Sequence, residues 1–387
     1  MERNVDVAII GAGTAGLSAM SQVRQAKKDF VLINGGELGT TCARVGCMPS
    51  KALIQVAHDL HRREIFEREG IEGGAGLSVN LPDALEHVRD LRDILVDRVL
   101  ANSTDQMGET FIDGYARFVD PGVLQVGQEI IHAKSIVIAS GTRPFVPDEW
   151  VDFGEHIITS DTIFEMEDLP QSIAIVGLGI IGLEIGQALS HLGVTVTGVD
   201  QLETIAGLND PSASQSAIEL MTRTFPVWLG HQAKLTSEGS QIRVSAGEHS
   251  VVVDKVLAAM GRRSNVDWLS IENAGVDLNE AGLPVFDPNT MQCGESRVFI
   301  AGDIAALNPV LHEAADEGRI AGYNAARQNS TAFKRKTPFA ITFTSPNICT
   351  IGASFDSLDP GTIEIGEMRL GPVGRALIMG VNRGIIR

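Results

Sequence analysis

Two of the four cysteines in this 387-residue chain stand in one short run, Cys42-Ala43-Arg44-Val45-Gly46-Cys47, followed directly by Met48-Pro49-Ser50-Lys51. Two thiols with four residues between them are a candidate redox couple. A disulfide needs its Cα atoms within about 7 Å, whereas five steps along a regular α-helix rise roughly 7.5 Å. A bridged pair therefore predicts an irregular turn, with Cys42 just before or at a helix start and Gly46 and Pro49 permitting the distortion. Such a bridge is strained. At a helix N-terminus, where the dipole stabilises thiolate, a strained and accessible disulfide suits redox exchange better than stapling. Taken alone, the spacing also fits two buried thiols that behave as small apolar residues. No metal site is expected, because no second Cys/His cluster supplies the other two ligands of a zinc ion.

A chain of this length can bury sizeable cores and is expected to split into two or three domains. Forty-one glycines, with 44% hydrophobic and 5% aromatic residues, suit an α/β protein of strand-turn-helix units. The charge sum, 31 basic against 49 acidic residues, is −18, which disfavours nucleic acid or an anionic membrane as the main partner. The first apolar strand begins near Val5, and no uninterrupted apolar run approaches about 18 residues. The expected location is the cytoplasm, where a Cys42–Cys47 bridge reads as catalytic rather than as part of a secreted framework.

The elements that must position such a couple are legible as a repeated unit. Val5 to Ile10 reads as a buried parallel strand, Gly11-Ala12-Gly13-Thr14-Ala15-Gly16 leads into an amphipathic helix, and a second strand follows at Phe30 to Ile33. The same text recurs as a strand from Ser172 to Val176, the run Gly177-Leu178-Gly179-Ile180-Ile181-Gly182, a helix to about Leu192, and a strand from Val194 to Val199. In a dinucleotide fold the first two glycines allow the turn and the approach of pyrophosphate to backbone N–H groups, and the third lets helix pack on strand. One G-x-G-x-x-G is weak evidence, but two copies predict two dinucleotide sites. Asn34 and Asp200 each stand 23 residues after the first glycine of their run, where a side chain meets the adenosine ribose. Asp200 is acidic and Gln201-Leu202-Glu203 after it contain no arginine, so the second site is expected to prefer NAD over NADP. Asn34 is neutral and offers a ribose only an uncharged hydrogen bond.

Between the units, Ala52 to Glu69 and Asp83 to Gly108 read as helical, with Leu85, Val88, Leu91, Ile94, Leu95 and Val99 as one apolar stripe expected in the core. Short strands are expected around Phe111 to Phe118, Val123 to Val126 and Ile136 to Ala139, with Gly141-Thr142-Arg143-Pro144 as a crossover. After the second unit come Val251 to Ala259, Gly261-Arg262-Arg263 and a buried strand from Val298 to Ala301. That strand ends in Gly302-Asp303, ahead of a helix from about Leu311.

The runs Gly11 to Gly16, Cys42 to Lys51, Gly177 to Glu184 and Ala301-Gly302-Asp303, in this order and over essentially the whole chain, resemble those of the flavoprotein pyridine nucleotide-disulfide oxidoreductases, nearest to the dihydrolipoamide dehydrogenase branch. The resemblance implies an α/β fold with two Rossmann-like domains plus a partial α+β interface domain. An FAD domain would take residues 1–148 and 270–335, an NAD domain 149–269, and a partial dimerisation domain 336–387. It implies that FAD is bound by Gly11, Gly13, Ala15, Gly16, Asn34, Gly35, Thr40, Thr41, Lys51, Ala116, Ser140, Gly141, Gly302, Asp303, Leu311, His312 and Ala314. NAD(H) would be bound by Gly177, Gly179, Ile180, Ile181, Gly182, Glu184, Asp200 and Gly261. Catalysis would fall to Cys42, exchanging with substrate, to Cys47, facing the flavin as a charge-transfer thiolate, and to a Lys51–Glu184 ion pair beside the flavin's reactive edge. The implied partners are a small or carrier-bound dithiol or disulfide such as dihydrolipoamide, a second copy in a homodimer of the full-length protein, and a 2-oxoacid dehydrogenase complex.

The chain departs from the family pattern at Asn34 in place of an acid, Thr40 in place of a glycine, Ile180 where tyrosine is frequent, and Ser264 in place of a proline. The branch's terminal His-x4-Glu pair, an acid-base partner for the exchange thiol, has no counterpart. The one matching spacing, His312 with Glu317, falls on the flavin side and reads as coincidental. Because Arg387 falls within the interface-like text, a fragment or a naturally shortened relative is expected. Cys293 and Cys349 are expected to be buried structural thiols. The competing readings are a related reductase with a metal ion or small disulfide as acceptor, and a non-enzymatic redox-sensing flavoprotein.

Overall fold

The described residues of the computed structural model are 2–359 and 361–387. They group into two compact units, one from residues 1–44, 92–143 and 262–336 and the other from residues 45–91, 144–261 and 337–387. The chain is a mixed α/β protein built on parallel, Rossmann-like sheets.

The first unit is laid down on the strand Glu2–Ile10, whose Val7, Ala8 and Ile9 are wholly buried. It pairs in parallel with Phe30–Asn34 on one side, Ile10 opposite Ile33, and with Glu129–Ile138 on the other, Ile10 opposite Ile138. Phe111–Asp113 and Val298–Ile300 extend the parallel sheet, while Ala116–Asp120 and Val123–Val126 add an antiparallel meander. Unbroken apolar strands are what a sheet covered on both faces demands. The helices Thr14–Gln25 and Leu311–Ala325 pack backbone to backbone, since a Cβ on Gly318 or Gly322 would meet Ala15 or Ala19 backbone oxygen at 2.1 or 2.3 Å.

In the second unit, Ser172–Val176 lies parallel to Thr195–Val199 and to Lys255–Ala258, with Val227–Trp228 and Ile157–Ile158 at the edges. Residues 251–259 divide between two strands, His249–Val253 in an antiparallel meander and Lys255–Ala258 in the parallel sheet. Asp254 separates them, its carboxylate accepting the backbone N–H and the hydroxyl of Ser172, both at 2.8 Å. Residues 45–91 and 337–387 group with this unit.

The helix Leu81–Ala101 corrects the expected core stripe. Leu85 and Val88 are fully buried, but Leu91 and Ile94 are 39% and 48% exposed. Its later turns pack through Val96, which lies so near Gly39 that a Cβ there would be 2.7 Å from Val96 Cγ1.

Candidate active site

In the first unit the turn after the first strand is shaped by glycine at two positions and left open at a third. Gly11 has φ +105°, and a Cβ on it would lie 2.3 Å from the Ala139 oxygen, while a Cβ on Gly16 would lie 1.8 Å from the Gly11 oxygen. A Cβ on Gly13 would meet nothing within 4 Å. The first and third glycines are thus required by packing and the middle one faces open space. Gly13 is also the N-cap of Thr14–Gln25 and no side chain caps that helix, so its first N–H groups are left for a ligand. The second unit repeats the geometry. A Cβ would meet Ala259 oxygen at 2.4 Å on Gly177 and Gly177 oxygen at 1.9 Å on Gly182, but nothing on Gly179, the uncapped N-cap of Ile180–His191.

Asn34 and Asp200 close these two turns in the same way. Asn34 Oδ1 accepts the Ala12 N–H at 3.0 Å, and Asp200 Oδ2 accepts the Leu178 N–H at 2.6 Å. Asn34 also donates through Nδ2 to the Gly36 carbonyl at 3.0 Å, whereas Asp200 accepts a second N–H, from Leu202, at 2.9 Å. The neutral residue is therefore matched to a carbonyl that a carboxylate would repel.

Among the other first-unit candidates, Ser140 Oγ is buried with no hydrogen-bond partner. Its carbonyl accepts from Asn265 Nδ2 at 2.9 Å. Gly302 adopts φ +82°, and a Cβ there would come 2.8 Å from Ala15 Cβ. Burial pushes the Asp303 carboxyl up, opposed by the Arg262 guanidinium and by the Thr142 hydroxyl, which donates to it at 3.4 Å. Arg262 in turn donates from Nε to Thr142 Oγ1 at 2.8 Å, and these three residues border a cavity of about 490 Å³. Ala116 and Ala314 are buried, while Leu311 and His312 are exposed at the start of their helix. Gly35 lies under the Tyr115 ring, and Gly141 adopts φ +67°.

Glu317 is committed elsewhere than to a histidine. Its Oε2 accepts the Gly302 N–H at 2.8 Å and its Oε1 accepts from Arg335 at 3.0 Å, so the His312–Glu317 spacing is coincidental. Sequence reasoning missed this use of Glu317, as it missed Thr142 and Arg262. Each contact joins segments far apart in the chain, and no local spacing announces it.

Cys42 lies in the single helical turn Thr41–Arg44 of the first unit, and Cys47 opens the helix Cys47–His61 of the second. Both are partly exposed. Gly46, with φ −117° and ψ −112°, breaks the helix between them, as the spacing predicts. Thr40 precedes them with φ +65°, in the left-handed region that glycine favours. On the Cys47–His61 helix, Lys51 Nζ lies 2.6 Å from Glu184 Oε2; the Lys51 side chain is 33% exposed and that of Glu184 4%. Glu184 comes from Ile180–His191, the helix that begins at the second glycine turn, so Lys51 and a glycine turn are brought to one place. Ile180 and Ile181 stand at the start of that helix, and Gly261 is exposed with φ +115°. Cys293 is buried, which pushes its thiol up to about 12, but Cys349 is exposed on the strand Ile348–Ile351 rather than buried as expected. Among the described residues no group of histidine, cysteine, aspartate and glutamate could hold a metal ion, and no helix is long and apolar enough to cross a membrane.

A family model described as pyridine nucleotide-disulphide oxidoreductase matches residues 5–329. The chain belongs to this family. It is 28% identical over 401 residues to a dihydrolipoyl dehydrogenase of Thermus scotoductus, covering all of this chain and 84% of that protein. It is 27% identical over 394 residues to a mercuric reductase of Staphylococcus aureus, covering 99% of this chain and 71% of the other. In fold it is similar to a Cu(II) complex of the HOCl-induced flavoprotein disulfide reductase RclA from Escherichia coli, with TM-score 0.85, 22% identity and coverage of 99% of this chain and 85% of that one.

The cofactors of this oxidoreductase are accordingly FAD and a nicotinamide nucleotide. The two open, uncapped glycine turns and the partnerless buried Ser140 hydroxyl fit such groups.

Proposed function

We propose that this chain passes electrons between NAD(H) and a dithiol or disulfide substrate, dihydrolipoamide first among them, with FAD between the nucleotide and the Cys42–Cys47 couple. When bound, the flavin would supply the hydride acceptance that no side chain here can perform. The observation that carries the reading is the Lys51–Glu184 pair at 2.6 Å, on two helices that begin at Cys47 and at the second glycine turn. A partly exposed ammonium neutralised by a buried carboxylate is suited to stabilise negative charge that arrives with a hydride. Cys42 would exchange with the substrate sulfur and Cys47 would hold the second thiolate. Asp200 would select NAD by accepting from a ribose hydroxyl.

The same reading assigns FAD to residues 1–148 and 270–335, NAD to 149–269, and pairing with a second copy to 336–387. A 2-oxoacid dehydrogenase complex is the expected larger partner. A second reading, with a metal ion as acceptor, is favoured by the similarity to a mercuric reductase. NADH-dependent turnover with lipoamide, glutathione disulfide, Hg(II) and Cu(II) separates the two. Lipoamide is expected to be turned over fastest, and Cys42→Ser and Cys47→Ser each to lower that rate by at least about a thousandfold. Reduction of a metal ion with higher kcat/KM than lipoamide would transfer the assignment to the second reading, and undiminished lipoamide turnover in both serine variants would overturn the role of the couple.

A further inference from the structure

Phe343 follows the strand Phe339–Thr342 and is 37% exposed, yet both its backbone and its ring are engaged. Its N–H donates to Glu184 Oε1 at 2.9 Å, and Lys51 Nζ lies 4.6 Å from its ring centroid. Two residues on, Ser345 N–H donates to Gln187 Oε1 at 2.6 Å, and Gln187 Nε2 donates back to the Ser345 carbonyl at 3.3 Å. Glu184 and Gln187, both 4% exposed and one turn apart on Ile180–His191, thus offer segment 343–345 the bonds that a neighbouring strand would supply. Thr342 and Thr344, each 2% exposed, fasten the segment on either side of Phe343.

A buried carboxylate needs partners for both oxygens. With Phe343 N–H on Oε1, the Glu184 carboxylate is turned so that Oε2 faces Lys51. An ammonium on a flexible four-carbon stem is strongly hydrated and would leave a one-sided contact for water. The electron-rich face of a phenyl ring opposes that departure by replacing part of the hydration shell.

We propose that Phe343 is a positioning residue for the Lys51–Glu184 pair, its N–H orienting the carboxylate and its ring holding the ammonium against it. The proposal rests on the reading of that pair as the charge beside the cofactor. Its test separates the clamp from the reading. Phe343→Leu keeps the N–H and the apolar bulk but removes the π face, and Phe343→Trp restores a face. Competitive acetylation of the protein as purified, read by mass spectrometry with exposed Lys28 as internal reference, reports how firmly Lys51 is held. Lys51 is expected to react about threefold faster in Phe343→Leu than in wild type, and at the wild-type rate in Phe343→Trp. In NADH-to-dye turnover the leucine variant is expected to lose kcat about threefold with KM for NADH unchanged, and tryptophan to recover it. Equal Lys51 labelling in wild type and Phe343→Leu overturns the clamp. Faster labelling with unchanged kcat supports the clamp and overturns the role given to the pair.

Discussion

Thr40 Oγ1 accepts the backbone N–H of Ala43 at 3.2 Å, and Thr40 itself sits at φ +65°. A β-branched residue in the left-handed region costs about 1–2 kcal/mol, and a net hydrogen bond returns about 0.5–1.5 kcal/mol. The hydroxyl that makes threonine tolerable here is the one that ties down the turn carrying Cys42. Thr40→Gly is therefore expected to unfold within about 1 kcal/mol of wild type, relief of strain offsetting the lost bond. Thr40→Val, which keeps the strain and loses the bond, is expected to lose about 1 kcal/mol in urea unfolding. A valine variant as stable as wild type would show that the bond contributes nothing.

Placing a carboxylate at position 34 will not improve the first site, although the family pattern has an acid there. Asn34 uses its carbonyl on Ala12 and its amide on the Gly36 carbonyl. Asn34→Asp turns the second bond into a repulsion, and FAD is expected to dissociate at least as fast as from wild type. Slower release from the aspartate variant, followed by flavin fluorescence on dilution, would contradict this.

At the second site, NADH is expected to exceed NADPH in kcat/KM by roughly 10- to 100-fold, the range of a hydrogen bond to a charged acceptor. Asp200 already faces two backbone N–H groups, which hold its carboxylate in place. Equal efficiencies for the two nucleotides in steady-state assays would remove Asp200 from specificity.

Arg335 donates to Glu313 Oε2 at 2.5 Å and to Glu317 Oε1 at 3.0 Å, and both carboxylates are nearly sealed from water. Arg335→Met leaves two buried carboxylates without their cation and is expected to destabilise the protein by about 3–5 kcal/mol. Because Glu317 also accepts the Gly302 N–H, FAD release should quicken with it. A change below about 1 kcal/mol in chemical unfolding would mean that the pair is solvated on opening.

His191 stacks on His61 with ring centroids 3.8 Å apart and planes at 3°, and His58 lies 6.4 Å away. Burial, helped by His61 and His58, lowers the His191 imidazole to about 3, and burial likewise lowers His58. Asp59 opposes the shift at His58, and Glu64 lies 3.2 Å from His61 Nδ1. The unfolded chain takes up the His191 proton near pH 6.5, whereas the folded chain does so only near pH 3, so stability is full above about pH 6.5 and drains as pH falls toward about 3. His191→Phe, which keeps a stacked ring, should lose less Tm than wild type between about pH 7.5 and about pH 5. An identical loss in both would place the acid sensitivity elsewhere.

The features that live within a few residues of chain were readable before any fold was known. Two glycine turns, the strands and helices around them, the break at Gly46 and the family all follow from local spacing, because a tight turn or a broken helix is dictated by the φ of its own residues. Which partner a side chain takes waited on the fold. Asn34 reads as a deficient acid until the turn is seen to set the Gly36 carbonyl, only two residues on, beside its amide, and Glu317, set aside as a chance match to a histidine motif, gains a role only when Arg335 and Gly302 are found on its carboxylate. The stripe on Leu81–Ala101 promised core at Leu91 and Ile94, but amphipathic periodicity says which face is apolar and not how far a covering layer extends. The Lys51–Glu184 pair was expected from resemblance, but Phe343, which joins it across the 159 residues from Glu184, had no signal in the text. Contacts of that kind are chosen by how elements pack, and no periodicity along the chain records them.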